Sequence, residues 1–296
     1  MFRITYVLGG DEAYRDRARK ILLATLTLID KSYIRNTPSA KNPRSLKFEE
    51  EGPGLDDWRD ASALNVLGQG DCEDIACYTA AWLQAKHGLQ AWPQLVTDAS
   101  SGCTHVVVEV AMPDGTKRTL DPSIQAGRDP HTAAHECTAH AKYLPEEKIT
   151  IVTDIFSSET RVTAGVKNVP ITQQLAHRSL SLLLHALFLI DVLYLRLHPD
   201  TPSIYAAGVR YEEEPPGRED WQDIPTTIRR KDGDCEDLAT WRSAELVAQR
   251  GIEARPSFLW RLNGGSSYLY HIQTEYPDGR IEDPSRALGM GASHTS

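Results

Sequence analysis

Two cysteines stand in the same five-residue setting, Gly-Asp-Cys-Glu-Asp, at Gly70–Asp74 and again at Gly233–Asp237. Each is followed by a histidine and then by Asp-Pro-Ser: Cys72 by His105 and Asp121, Cys235 by His271 and Asp283. A cysteine attacks as its thiolate, so it needs a base within hydrogen-bond reach and a third group that fixes the tautomer of that base. The order Cys, His, Asp supplies these three roles, and acyl transfer is the chemistry they serve. A lone cysteine is usually a small buried hydrophobe, and a lone histidine on a strand is usually a satisfied structural residue. Ordered repetition of all three separates this set from chance.

The elements that must hold these residues can be read in turn. A helix opening at each GDCED gives the thiol a favourable dipole, and small Ala76 and Ala239 one turn on allow close packing against a sheet. Strands follow at Ala91–Val96, His105–Met112 and Lys117–Leu120, and again at Ala254–Trp260, Tyr268–Tyr276 and Arg280–Glu282, with a Pro-Asp-Gly hairpin between the last two of each set. The second hairpin is shorter by two residues on each strand. An even change keeps His and Asp on one face and in the same cross-strand relation, because side chains alternate with period two.

The duplication reaches beyond the motif. Cys72 and Cys235 lie 163 positions apart, as do Trp58 and Trp221, Gly88 and Gly251, and Pro93 and Pro256. A first helix with Leu-Ile-Asp-x-x-Tyr-x-Arg occurs at Leu28–Arg35 and at Leu189–Arg196, within amphipathic stretches at about Glu12–Arg35 and Gln174–Leu197. The expected architecture is α+β twice over: residues 1–123 as one domain, 124–173 as a linker with a strand near Lys148–Thr153, and 174–296 as the second domain.

Composition bounds the partners. The chain of 296 residues is 41% hydrophobic and 25% charged, ordinary for a folded protein, and its net charge of −9 opposes nucleic acid and anionic membrane surfaces. Leu180–Leu197 is apolar and long enough to begin a membrane span, but His185, Asp191 and Arg196 interrupt it, so it reads as a buried helix with no membrane role. The start MFRITYVLGG alternates like a strand and lacks the apolar core of a secretory signal, and five cysteines give little support to a disulfide framework. A cytoplasmic location is expected, with a virion as the alternative.

GDCED followed by Ala, then His, then Asp-Pro-Ser resembles the transglutaminase-like superfamily, most closely bacterial transglutaminase-like cysteine proteinases and phage-encoded relatives. The resemblance covers about Glu12–Ser123 and Gln174–Arg286. It implies tandem papain/transglutaminase-like domains in which Cys72 and Cys235 are nucleophiles, His105 and His271 bases, and Asp121 and Asp283 orienting acids. A cysteine peptidase or isopeptidase acting on a protein or peptide is the implied activity. The alternative is a non-catalytic structural or binding module, such as a virion or tail component, within a larger assembly or homo-oligomer.

Further residues carry secondary expectations. Gln69, just before the first GDCED, is the candidate oxyanion partner, whereas Asp232 occupies its place in the second half, and Trp58 and Trp221 are candidate cleft residues. No cofactor is required by thiol chemistry. Asp71, Glu73, Asp74, Asp234, Glu236 and Asp237 would raise a nearby thiol pKa, and they are either a solvated or Arg-paired helix start or, by the resemblance, candidate calcium ligands. His131, His135, Cys137 and His140 have zinc-binding types, although their spacing matches no common zinc pattern.

Overall fold

The computed structural model describes residues 2–51, 56–97, 104–128, 146–153, 169–215, 219–263 and 267–291. It mixes helices and sheets, as expected for α+β. The chain opens with β1 (Phe2–Leu8) and α1 (Glu12–Asn36) and continues through β2 (Lys47–Phe48), β3 (Asp57–Arg59), α2 (Ala61–Leu67) and β4 (Gln69–Gly70). Then come α3 (Cys72–His87), β5 (Gln90–Thr97), β6 (Thr104–Ala111), β7 (Lys117–Leu120), α4 (Pro122–Gln125) and β8 (Glu147–Thr153). The plan then repeats with α5 (Val169–Leu197), β9 (Arg210–Tyr211), β10 (Asp220–Gln222), α6 (Ile224–Arg230), β11 (Asp232–Gly233) and α7 (Cys235–Arg250). It closes with β12 (Arg255–Asn263), β13 (Ser267–Glu275), β14 (Ile281–Glu282) and α8 (Pro284–Ala287).

Two compact units result, and neither is a continuous stretch. The first comprises Met1–Ile4, Arg19–Leu144 and Ile149–Ser179; the second comprises Thr5–Ala18, Pro145–Lys148 and Leu180–Ser296. The segment read as a linker therefore gives the first unit a strand, since β8 pairs in parallel with β3, Thr150 opposite Asp57 and Ile151 opposite Trp58. In the second unit β1 pairs in parallel with β10 in the same register, Thr5 opposite Asp220 and Tyr6 opposite Trp221. Ile4-Thr5-Tyr6-Val7 and Ile149-Thr150-Ile151-Val152 are thus the matching leading strands of the two repeats. Each completes the unit built mainly from the other repeat.

The GDCED motif explains itself as local structure. Asp71 caps α3 and Asp234 caps α7, each in a capping box with the acid three residues on, Asp74 or Asp237. Such a box satisfies backbone N–H groups at the helix start that would otherwise lack partners. Both helices end at a left-handed glycine, Gly88 at φ 67° and Gly251 at φ 65°. The motif's own glycine is needed for space: a Cβ on Gly70 would lie 2.7 Å from Asp74 Oδ2 and Leu64 Cδ2, and one on Gly233 would lie 3.0 Å from Asp237 Cβ. These contacts let a strand end run against the first turn of the nucleophile helix.

Each unit packs its own core around that helix. In the first, Ile75, Tyr78 and Ala81 of α3 meet Ile34, Leu46, Ala61 and Leu64. In the second, Leu238, Trp241 and Ala244 of α7 meet Phe188, Val192 and Leu195 of α5. Helix α5 is apolar and long enough from Leu175 to Leu197 to cross a membrane by length and composition, and 56% of an 18-residue window within it is buried inside the protein. Asp191 within it is fully buried and accepts the Ile224 N–H at 3.0 Å, as Asp30 of α1 accepts the Ala61 N–H at 2.6 Å. The aspartate of the repeated helix motif thus reaches the start of α6 or α2.

Candidate active site

Antiparallel sheets position the histidine and the acid. Strands β5, β6 and β7 form one three-stranded sheet and β12, β13 and β14 the other. Val108 lies opposite Leu120 and Thr274 opposite Glu282. Continued by one step, these registers put Val107 opposite Asp121 and Gln273 opposite Asp283, so each acid lies two residues along from its histidine. His105 Nε2 meets Asp121 Oδ2 at 2.8 Å and His271 Nε2 meets Asp283 Oδ2 at 3.0 Å. The two-residue shortening of each strand in the second hairpin preserves the contact.

The acids are held ionised. Burial alone would raise Asp121, but hydrogen bonds from Ser123 and His105 outweigh it and keep the carboxyl below its usual range. Asp283 is likewise lowered against the cost of burial by His271, the Arg286 N–H and Gln273. Arg128 Nη1 approaches His105 Nε2 at 3.1 Å and Asp121 Oδ2 at 3.8 Å. The other ring nitrogen, His105 Nδ1, is buried with no hydrogen-bond partner.

Helices α3 and α7 bring the thiols against the strands that carry these histidines, β6 and β13. The Val106 backbone amide hydrogen-bonds Cys72, and the Ile272 amide hydrogen-bonds Cys235, so each sulfur adjoins the residue that follows its histidine. Both thiols are half-buried, and each contacts the glutamate beside it: Cys72 Sγ to Glu73 Oε2 at 3.1 Å, Cys235 Sγ to Glu236 Oε2 at 3.2 Å. Burial, the neighbouring glutamate and the capping aspartate push both thiols well above the ordinary range. The leading effects are the same in kind at both thiols: burial first, then the adjoining glutamate and the capping aspartate.

Trp58 and Trp221, expected in the cleft, are core side chains instead. Trp58 is 3% exposed, with its indole N–H donated to Asp56, and Trp221 is fully buried with an edge-on contact to Tyr6. Gln69 is half-buried on β4, which pairs with β2.

The acids around each thiol differ in how their charge is met. In the first unit the Arg59 guanidinium lies 3.4 Å from Glu51, 3.6 Å from Asp74 and 3.7 Å from Glu49. Burial still pushes Glu51 up to about 7. In the second unit Gln222 stands where Arg59 does, its N–H on Asp237 at 2.7 Å as the Arg59 N–H is on Asp74 at 2.6 Å. Burial and the nearby Glu236 push Glu214 and Glu219 up to about 7 as well, and with no guanidinium at this place Glu236 Oε1, Asp234 Oδ1 and Gln222 Oε1 are buried without partners. Among the described residues no group of three or more His, Cys, Asp or Glu side chains is arranged so as to hold a metal ion, and the zinc candidates His131, His135, Cys137 and His140 lie outside those residues.

Sequence reasoning had not singled out Glu51, Arg59, Glu214 or Gln222, although Glu51 and Glu214, like Arg59 and Gln222, are spaced by the same 163 residues as the cysteines. Extending the repeat to every polar position would have found them. No family model, curated protein or solved structure matches the chain.

Proposed function

We propose that the chain performs thiol-dependent amide acyl transfer, as a cysteine peptidase or isopeptidase built from two tandem papain/transglutaminase-like units. One observation carries the reading: in both units a cysteine at the first turn of a helix is bonded to the backbone next to a histidine whose Nε2 is tied to an ionised aspartate. Cys72 is the favoured nucleophile, because the Nδ1 of its histidine is buried without a partner and so has its lone pair or proton free for the thiol.

The chemistry follows from those positions. The thiol proton passes to His105 Nδ1, while Asp121 on Nε2 stabilises the imidazolium that forms. Sulfur bonds to the substrate carbonyl carbon, and the negative charge on oxygen is met by backbone N–H groups at the start of α3. The tetrahedral species collapses with loss of the C–N bond, the imidazolium giving its proton to the leaving amine. Water then hydrolyses the thioester, with the same histidine as base. Before any of this, the thiol must leave Glu73 for His105, and its raised pKa makes that proton transfer the step on which substrate binding has to act.

The same glutamates favour a second reading, a non-catalytic binding or structural module, because both thiols are held in the protonated form. Site-resolved alkylation by iodoacetamide across pH separates the two. An enzyme labels at Cys72 faster than a free thiol once a peptide-like amide occupies the site, and loses this in His105→Ala. Labelling no faster than a free thiol at either Cys72 or Cys235 under all conditions would leave only the module.

A further inference from the structure

Away from the thiol, the C-terminal half of α3 borders a cavity of about 420 Å³ in the first unit. Arg44, Thr79, Trp82, His87, Leu120 and Gln125 are among its walls. The volume lies within the range of small-molecule sites, roughly 300–1,000 Å³. The matching positions of the second unit show what normally closes such a space. Thr79, Trp82 and His87 correspond to Arg242, Glu245 and Arg250 at the cysteine spacing of 163, and Leu120 to Glu282, one residue before Asp-Pro-Ser in each repeat. Arg44 and Tyr205 are the middle residues of equivalent 3-10 turns, Pro43–Ser45 and Ile204–Ala206.

In the second unit those residues bind one another. Arg242 donates to Glu282 at 2.8 Å and to Glu245 at 3.0 Å, Arg250 reaches Glu245 at 2.6 Å, and Tyr205 hydrogen-bonds Glu282. The Arg242 guanidinium also lies 5.3 Å from the Tyr205 ring centre. Two cations face two carboxylates there. In the first unit the long Arg242 side chain is replaced by a threonine whose Oγ1 is buried with no hydrogen-bond partner. Both carboxylates are gone, replaced by Trp82 and Leu120. What remains is an apolar wall of Trp82, Leu83, Leu120 and Pro122 with Arg44 and His87 at the edge and Lys86 Nζ 5.5 Å from the Trp82 ring centre. No acid lines the described wall, in a chain whose net charge is −9.

We propose that the first unit binds a flat organic carboxylate in this cavity. Its ring system covers Trp82 and Leu120, and its carboxylate meets the Arg44 guanidinium. The first unit lacks the Arg242-type side chain at this space and lacks the two carboxylates of the second, so its walls favour an anion where the second unit's hold cations.

Isothermal titration of the full chain with 1-naphthoate and with 1-naphthylmethylammonium tests this, since the two probes share a ring and differ in charge. Naphthoate is expected to bind one per chain, and about tenfold or more weaker in Arg44→Ala, an exposed change that leaves the core intact. Thr79→Arg, which restores the Arg242-type side chain, should abolish binding, while Tyr205→Ala at the matching position of the second unit should leave it unchanged. Equal binding of the cationic probe, unaltered affinity in Arg44→Ala, or no saturable binding of naphthoate would overturn the proposal, and the Arg44→Ala result decides the matter even if Thr79→Arg does not fold.

Discussion

The thiols of Cys72 and Cys235 sit where a helix dipole should favour ionisation, yet both are driven toward the protonated form. Burial is the larger cause, and the adjacent glutamate the next. A carboxylate about 3 Å from sulfur outweighs a terminal dipole of about half a charge. Replacing Glu73 by Gln removes the charge while keeping the size, so the Cys72 pKa should fall. The alkylation rate at Cys72 against pH measures this, and a limb that does not move toward lower pH would show that burial alone controls the thiol. His105→Ala and Asp121→Ala should separate in the same assay: the first removes the base, whereas the second leaves a base with neither its tautomer nor its imidazolium supported. At this scale the residue types were legible, since Cys, His and Asp in repeated order need no structure to be noticed. The burial of Trp58 and Trp221 was not, because a spacing repeated within the chain fits a core tryptophan as well as a cleft one.

Short elements do the positioning, and buried aspartates hold them. Asp60 and Asp223 cap α2 and α6, while Asp30 and Asp191 reach the same helix starts from the long helices α1 and α5. Burial pushes the Asp30 carboxyl well upward, which favours its neutral form, and only its Oδ1 has a partner. Asp30→Asn keeps a carbonyl acceptor for the Ala61 N–H and should leave the urea midpoint close to wild type. Asp30→Ala leaves that N–H unpaired in the core, at a cost of about 1–3 kcal/mol. Equal loss in both variants would mean that the charge of Asp30, rather than its acceptor, supports α2. Helices α1, α3 and α7 and both hairpins were legible because their apolar period and turn residues are local. The parallel pairs β1 with β10 and β3 with β8 were not, since their partners are far apart in sequence and no local signal specifies a parallel register. Recognising Ile-Thr-Tyr-Val and Ile-Thr-Ile-Val as the same strand would have revealed the pairing, and with it the partner of the strand expected near Lys148–Thr153.

Across the whole molecule, two units of one plan carry different charge arrangements, and stability should register this through pH. Glu51, Glu214 and Glu219 are pushed up to about 7 and Asp223 to about 6, all by burial first. In the unfolded chain such groups ionise near pH 4. Between about pH 4 and 7 the unfolded state therefore releases protons that the native state keeps, and stability falls as pH rises through that window. Asp121 and Asp283 act oppositely, because their lowered pKa values add stability that is lost only as pH drops below about 4. Self-repulsion at a net charge of −9 works in the same direction as the raised glutamates. Urea midpoints should accordingly be highest near pH 5 and lower at pH 7.5. The second unit supplies much of the slope, because three of these four groups, Glu214, Glu219 and Asp223, belong to it. Gln222→Arg should raise the midpoint at pH 7.5 by the equivalent of about 1 kcal/mol and flatten the profile, since a guanidinium beside Glu214 and Asp237 lowers their pKa values toward those of the unfolded chain. Arg59→Gln should steepen it. A midpoint that climbs steadily from pH 5 to 7.5 in the wild type would mean that these glutamates are ionised in the native protein, and the two swaps would then lose their opposite signs.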